Sequence, residues 1–216
     1  MRFLYLDPAL RNDIGHHANY CRYIVGELRA RGIETLVFGR RTVAPALQAE
    51  LGVVPRFRYH TYAQIDPDPF AGWLIGFDDI ARRTLDDLRE LPPTDASDVV
   101  YVSSIRPPQL MALLEWRKDL SPDRRPAMVV ESVGTGMTVQ REPDRLIATI
   151  PNPQVDARAT LFRYVAHRLP REPDARFYVV TFGDVPTEMF RKILSYPAHT
   201  LPLPYPAVIP LRSRAG

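Results

Sequence analysis

Short apolar runs rich in β-branched and aromatic residues alternate along this chain with segments whose apolar positions recur every three or four residues. The first run, RFLYLD at 2–7, reads as a strand. The segment 17–31 spaces Tyr20, Ile24 and Leu28 four apart with Cys21 and Val25 beside them, the stripe of an amphipathic helix closed by Arg31-Gly32. A second strand is expected over 33–39 and a short helix over 43–52, closed by Gly52. A third strand over 54–62 alternates in a way that leaves one face wetter, as near a sheet edge. Prolines two apart make 63–72 a loop. The longest helical pattern covers 73–91, with Leu74, Phe77, Ile80, Ala81, Leu85 and Leu88 on one face and Pro92-Pro93 at its end.

The same rhythm continues. Residues 98–104 read as a buried strand, and Pro107-Pro108 opens a helix reaching about Asp119. A strand follows over 127–133, a helix over about 155–169, a strand over 175–184 and a helix over 186–195. Strands alternating with helices predict an α/β fold: a three-layer Rossmann-like domain with a mostly parallel sheet of six or seven strands and helices on both faces. Residues 1–203 are expected to form that single domain, and 204–216 a proline-rich linker or tail.

Composition narrows the class more than the function. A hydrophobic content of 45% and a charged content of 25% are ordinary for a globular domain. No apolar run approaches the ~20 residues of a membrane span, and the apolar stretch before Asp7 is too short for a signal peptide, so no integral membrane segment and a cytoplasmic location are expected. A net charge of +3 is too mild for a dedicated nucleic-acid binder. Lys118 and Lys192 are the only lysines, and the arginine pairs at 40–41, 82–83 and 124–125 are scattered, which favours solvated surface over one anion tract.

In an open parallel sheet, ligands bind where strand ends enter helices. The loop after the first strand carries Asp7, Asn12, Asp13, Gly15, His16 and His17. Gly15 and the histidines would stand at a helix N-terminus, able to meet a phosphate or accept a proton; alternatively, Asp13 caps that helix and the histidines are ordinary first-turn residues. Ser103, Ser104 and Arg106 follow the strand ending near 104, and Glu131, Ser132, Gly134, Thr135 and Gly136 follow the next. Glu131 reads equally as a base, a hydroxyl binder or a solvated loop carboxylate, and the glycines at 134 and 136 as a flexible turn. Thr181, Gly183 and Asp184 complete the edge. There is no G-x-G-x-x-G and no G-K-[ST], so neither a dinucleotide nor a phosphate-loop site is expected, and no cofactor is assigned to this chain. Adjacent histidines on a helix do not face one point, so no metal is expected either. Cys21 falls on the apolar stripe of a helix, a core position.

The opening, from RFLYLD through IGHHANYCRYIVGELRARGIETLVFG, resembles the N-terminal domain of GT-B-fold glycosyltransferases, particularly the glycogen-synthase-like and mannosyltransferase-like group. Leu28, Arg31-Gly32 and Ile33-Glu34 match the helix-to-strand hinge of that family, while Ile14-Gly15 stands where the family often has Gly-Gly. The closing stretch, FYVVTFGDVPTEMFRKILSYPAHTLPLPYPAV, is similar to the strand, helix and proline-containing linker that precede the family's second domain. The resemblance implies the acceptor-side half of a nucleotide-sugar-dependent glycosyltransferase, inactive by itself. Its partners would be a sugar or glycolipid acceptor and a C-terminal domain holding a nucleotide-diphosphate sugar. Gly15, His16 and His17 would face the cleft, beside Ser103, Ser104 and Arg106 and the stretch from Glu131 through Gly134 and Thr135 to Gly136. A non-catalytic α/β binding module and a small enzyme acting on a phosphorylated metabolite are the two other classes the same sheet allows.

Overall fold

A computed structural model describes residues 1–63, 71–132, 134–150, 152, 156–172 and 175–202. The first half runs β1 (Arg2–Leu6), α1 (His16–Ala30), β2 (Glu34–Arg40), α2 (Pro45–Leu51), β3 (Val53–Phe57), α3 (Ala71–Arg89), β4 (Val99–Val102) and α4 (Pro107–Asp119). The second runs β5 (Ala127–Glu131), β6 (Thr138–Arg141), β7 (Leu146–Thr149), α5 (Arg158–Ala166), β8 (Phe177–Phe182), α6 (Asp184–Leu194) and β9 (Ala198–Leu201). Seven strands make one parallel sheet in the order β3-β2-β1-β4-β5-β8-β9, and β6 and β7 pair apart as an antiparallel hairpin. The fold is the expected α/β, three-layer, Rossmann-like one.

The two-residue period of the strands sorts side chains between two cores. Leu4, Leu6, Phe38, Val100, Val102, Met128 and Val130 pack with side chains of the later helices, among them Leu88, Leu113, Phe162 and Phe190. Tyr5, Val37 and Tyr101 belong to the other core, with Ala18, Cys21 and Val25 of α1 and Leu47 and Leu51 of α2. Cover is unequal between the faces. In β8, Phe177 and Val179 are buried while Tyr178, between them, is 44% exposed.

Differences from expectation have local causes. β3 is the edge strand anticipated, but it ends at Phe57, and 58–62 turns away. The β6–β7 hairpin was not legible because each strand is four residues long; its turn is closed by Glu142 N–H to the Arg145 carbonyl at 2.9 Å. Residues Ala198–Leu201, for which no strand is expected, pair with β8 as an edge strand. The tail at 204–216, and residues 64–70 of the expected loop, lie outside the described residues. α5 is shorter than the expected 155–169, and α6 starts at Asp184 rather than Pro186, with Gly183 at its cap.

What positions the site is the reversal of winding between β1 and β4. From β1 the chain passes to β2 on one side, and from β4 to β5 on the other, leaving a crevice at their carboxyl ends. The loop after β1 is laid across the end of β2 by Asp7 N–H to the Phe38 carbonyl at 3.0 Å and Arg40 N–H to the Leu10 carbonyl at 3.0 Å. Gly39 makes that approach possible: a Cβ there would stand 2.7 Å from Val53 Cγ1 and 3.1 Å from the Leu10 carbonyl oxygen. Gly39→Ala is therefore expected to lower stability by about 1–3 kcal/mol, the usual range for overpacking, measured by urea unfolding.

Candidate functional site at the switch point

Asp7, the first residue past β1, is fully buried. Its Oδ1 accepts the Ala9 N–H at 2.9 Å, and its Oδ2 lies 2.9 Å from Nδ1 of His17 in the first turn of α1. A carboxylate at Nδ1 places the imidazole hydrogen there, which leaves Nε2 as the free acceptor. Nε2 lies 3.4 Å from the Tyr62 hydroxyl. Burial by itself would lower the His17 pKa, but the hydrogen bond and charge of Asp7 outweigh it, and the net direction is upward. His16 stacks on His17 with ring centroids 4.1 Å apart; burial, then the His17 charge, lower its pKa, and its Nε2 is buried without a hydrogen-bond partner. Gly15 caps α1 with φ of 90°, and no side chain caps it. Asp13, the alternative cap, pairs instead with Arg22.

Two serines and a second buried carboxyl lie across the crevice. Glu131, the last residue of β5, is fully buried, and its Oε2 accepts the Ser104 N–H at 2.8 Å and the Ser103 hydroxyl at 3.1 Å. Ser104 is held in the left-handed region, φ 55°, by that bond, and its own hydroxyl is buried and unmatched. Oε1 of Glu131 is likewise buried without a partner. Burial pushes the Glu131 carboxyl up to about 7; the two serine donors and His17 oppose the rise, and Asp7 adds to it. A carboxyl so placed gives a ligand hydroxyl either a donor or an acceptor near neutral pH.

The turn at Ser104 delivers Arg106 to the start of α4, its guanidinium 5.0 Å from the Tyr62 ring centroid. Its Nη1 is buried without a hydrogen-bond partner, and burial, with Arg158 nearby, lowers its pKa. Arg158, at the start of α5, is held by Asp156. A Cβ on Gly134 would lie 3.6 Å from Arg158 Nη1 and 3.8 Å from Arg106 Nη1, so two guanidiniums bracket that backbone. Thr135 is buried, and its hydroxyl accepts the Met137 N–H at 3.0 Å, which fixes the turn. Asp156 supplies the counter-charge of Arg158, so Arg106, with its unmatched and buried Nη1, is the side chain that chiefly favours an anion here.

The carboxyl edge thus holds Gly15, His16, His17, Ser104, Arg106, Glu131, Gly134 and Thr135. Within it, His17 and Glu131 interact electrostatically, Ser104 is bonded to Glu131, and Arg106 stands by Gly134. Asp7, named only among the polar residues of the first loop, and Tyr62 and Arg158, which the sequence does not mark, complete the site. A buried carboxyl at a strand end could have flagged Asp7, but nothing local marks Tyr62 or Arg158. Thr181, Thr187, Thr200 and Asp184 satisfy one another in a hydroxyl chain with steps of 3.2, 3.0 and 3.1 Å, which ties α6 to β8 and β9. Cys21 is buried with its thiol pushed up to about 12 by burial, a core side chain. Among the described residues, no group of three or more His, Cys, Asp or Glu is arranged to hold a metal ion, and no helix is long and apolar enough to cross a membrane.

No family model matches the sequence, and no match is found among curated proteins.

The raised Glu131 carboxyl has a signed consequence for stability. The unfolded chain releases this proton near 4.5 and the folded chain near 7, so the folded state binds more protons between those values and stability falls as pH rises through them. The loss is expected to total roughly 3 kcal/mol and to be absent in Glu131→Gln, read from urea unfolding at a series of pH values.

Proposed function

We propose that this chain is the acceptor-side half of a nucleotide-sugar-dependent glycosyltransferase of the GT-B type, acting in the cytoplasm with a donor-binding domain. One observation carries the reading: a histidine backed by a buried carboxylate has its Nε2 acceptor 3.4 Å from the hydroxyl of Tyr62, the ring that also meets Arg106, one of two guanidiniums beside Gly134. Transfer to a hydroxyl needs these two capacities together. As the acceptor oxygen bonds to the anomeric carbon of the donor sugar, the bond from that carbon to the diphosphate breaks, and the hydroxyl proton passes to Nε2 of His17. Asp7 stabilises the imidazolium that forms. Arg106 and Arg158 meet the charge gathering on the departing diphosphate. Glu131, with its unmatched Oε1, orients a sugar hydroxyl of the acceptor or donor.

Two sequence features support the same reading: the helix-to-strand hinge at Leu28 to Glu34 and the closing strand and helix before the proline-rich stretch. The donor would be a nucleotide-diphosphate sugar held chiefly by the second domain, and the acceptor a sugar or glycolipid. The Asp7–His17 pair would serve a small enzyme acting on a phosphorylated metabolite equally well, and turnover separates the two.

The test is an NMR titration of the 216-residue chain with inorganic pyrophosphate and, separately, with simple sugars. Pyrophosphate should perturb the amides around Gly134, and Arg106→Gln with Arg158→Gln should weaken it roughly 10- to 100-fold. Sugars should perturb His17, with binding strengthening as pH rises through its raised pKa, because only the neutral ring offers Nε2 as an acceptor. Turnover of phosphorylated metabolites by this chain alone, or silence of the edge toward both probes, would overturn the proposal.

A further inference from the structure

Two arginines and a neutral histidine stand at the carboxyl ends of β2 and β3. Arg40 is the last residue of β2, and Arg11 lies in the loop drawn over it, tied down by Arg40 N–H to the Leu10 carbonyl at 3.0 Å and Ala44 N–H to the Arg11 carbonyl at 2.7 Å. His60 follows β3, and its Nδ1 accepts the Tyr62 N–H at 2.9 Å, which assigns the ring hydrogen to Nε2 as a donor. Among the described residues, the charges that bear on Arg40 and His60 are cations only: Arg11 on Arg40, and both arginines on His60. Arg40 directs its Nε–H to the Thr42 hydroxyl at 3.2 Å, and among the described residues neither it nor Arg11 is paired with a carboxylate.

The neighbouring arginines set the contrast. Arg41 and Arg58 are paired with Asp87, and Arg56 with Glu90. Three arginines on and beside β3 are thus neutralised, while Arg11 and Arg40, beside the neutral His60, have no carboxylate partner among the described residues. Like charges gathered without a counter-charge raise the free energy of the folded state, and a bound anion removes that cost. The position suggests which molecule brings the anion. The His60 ring lies 6.1 Å from the Tyr62 ring and the His17 ring 6.0 Å from it, so one tyrosine connects the cationic group to the Nε2 acceptor.

Resting on the reading of this edge as an acceptor site, we infer that the acceptor is an acidic sugar. Its carboxylate or phosphate is held by Arg11, Arg40 and His60 while one of its hydroxyls lies at His17. Arg106 and Arg158 are left for the donor's diphosphate, so the two anions of the reaction are received at separate places along one edge.

The experiment is calorimetric or NMR titration of the 216-residue chain with glucose, galactose and mannose, with their uronates and with their 6-phosphates. At least one acidic form should bind about tenfold or more tightly than its neutral parent, as expected of charge-assisted hydrogen bonds. Preference for the uronate identifies a carboxylate as the recognised group, and preference for the phosphate ester a phosphate. Arg11→Gln with Arg40→Gln should bring the acidic form to within about twofold of the neutral sugar, whereas Arg40→Lys should keep most of the preference, separating charge from packing. Equal binding of neutral and acidic sugars at His17 would overturn the inference and leave the acceptor site standing. Survival of the preference in the double glutamine variant would overturn it too, placing the anion at Arg106 and Arg158. Failure of every sugar to bind would overturn this inference and the acceptor reading together.

Discussion

Oε2 of Glu131 accepts two hydrogen bonds from the turn after β4, and the form of the crevice follows from them. One comes from the backbone N–H of Ser104, a residue held in a conformation that side chains other than glycine seldom adopt. The other comes from the Ser103 hydroxyl. With Ile105 N–H on the Glu131 carbonyl at 2.8 Å, they bind the end of β4 to the end of β5 at the point where the chain must change direction. Arg106 reaches Tyr62 because that turn is fixed, and Tyr62 reaches His17. The carboxyl that holds the turn is left with one unmatched oxygen and a proton it releases only near neutral pH.

Much of the fold could be read in advance because the central strands β1, β2, β4 and β5 are largely buried on both faces and α1 chiefly on one. Near-continuous apolar runs such as Leu36-Val37-Phe38 and four-residue spacings such as Tyr20, Ile24 and Leu28 are distinguishable without any tertiary knowledge. What escaped was short or depended on a partner. β6 and β7 make sense only as a pair, and β9 becomes a strand because β8 offers it an edge. The site was half legible on the same grounds. Residues at strand ends could be named from the order of elements, and His17, Ser104, Arg106 and Glu131 came to one edge. Asp7 hides in a loop full of polar residues, while Tyr62 belongs to the site only because β3 ends early and the chain turns back.

The arginine content divides once the fold is known. Arg2 grips the fully buried Asp98 through its backbone N–H and its guanidinium, pinning β1 to β4 at the end opposite the crevice. Arg41, Arg56 and Arg58 secure β3 to the end of α3. Arg22 joins Asp13 of the first loop to Glu50 of α2. These are structural ties between elements. Arg11, Arg40 and Arg106 differ from them: each lies at the carboxyl edge of the sheet without a carboxylate as its principal partner. A scattered basic composition therefore contains arginines that fasten the scaffold and a few at the carboxyl edge, Arg11, Arg40 and Arg106, that do not.

The prolines that open α4 have a bearing on how such a protein can change. A helix start normally offers backbone N–H groups to an anion, a device every sequence possesses and few substitutions can remove. Pro107 and Pro108 take two of those donors away at the start of α4, one of the helix starts that border the crevice. Charge recognition there passes from the main chain to side chains, chiefly Arg106. A binding preference written in side chains can be exchanged one codon at a time with the scaffold unchanged, so relatives of this domain are free to keep its sheet while diverging in the anion they accept.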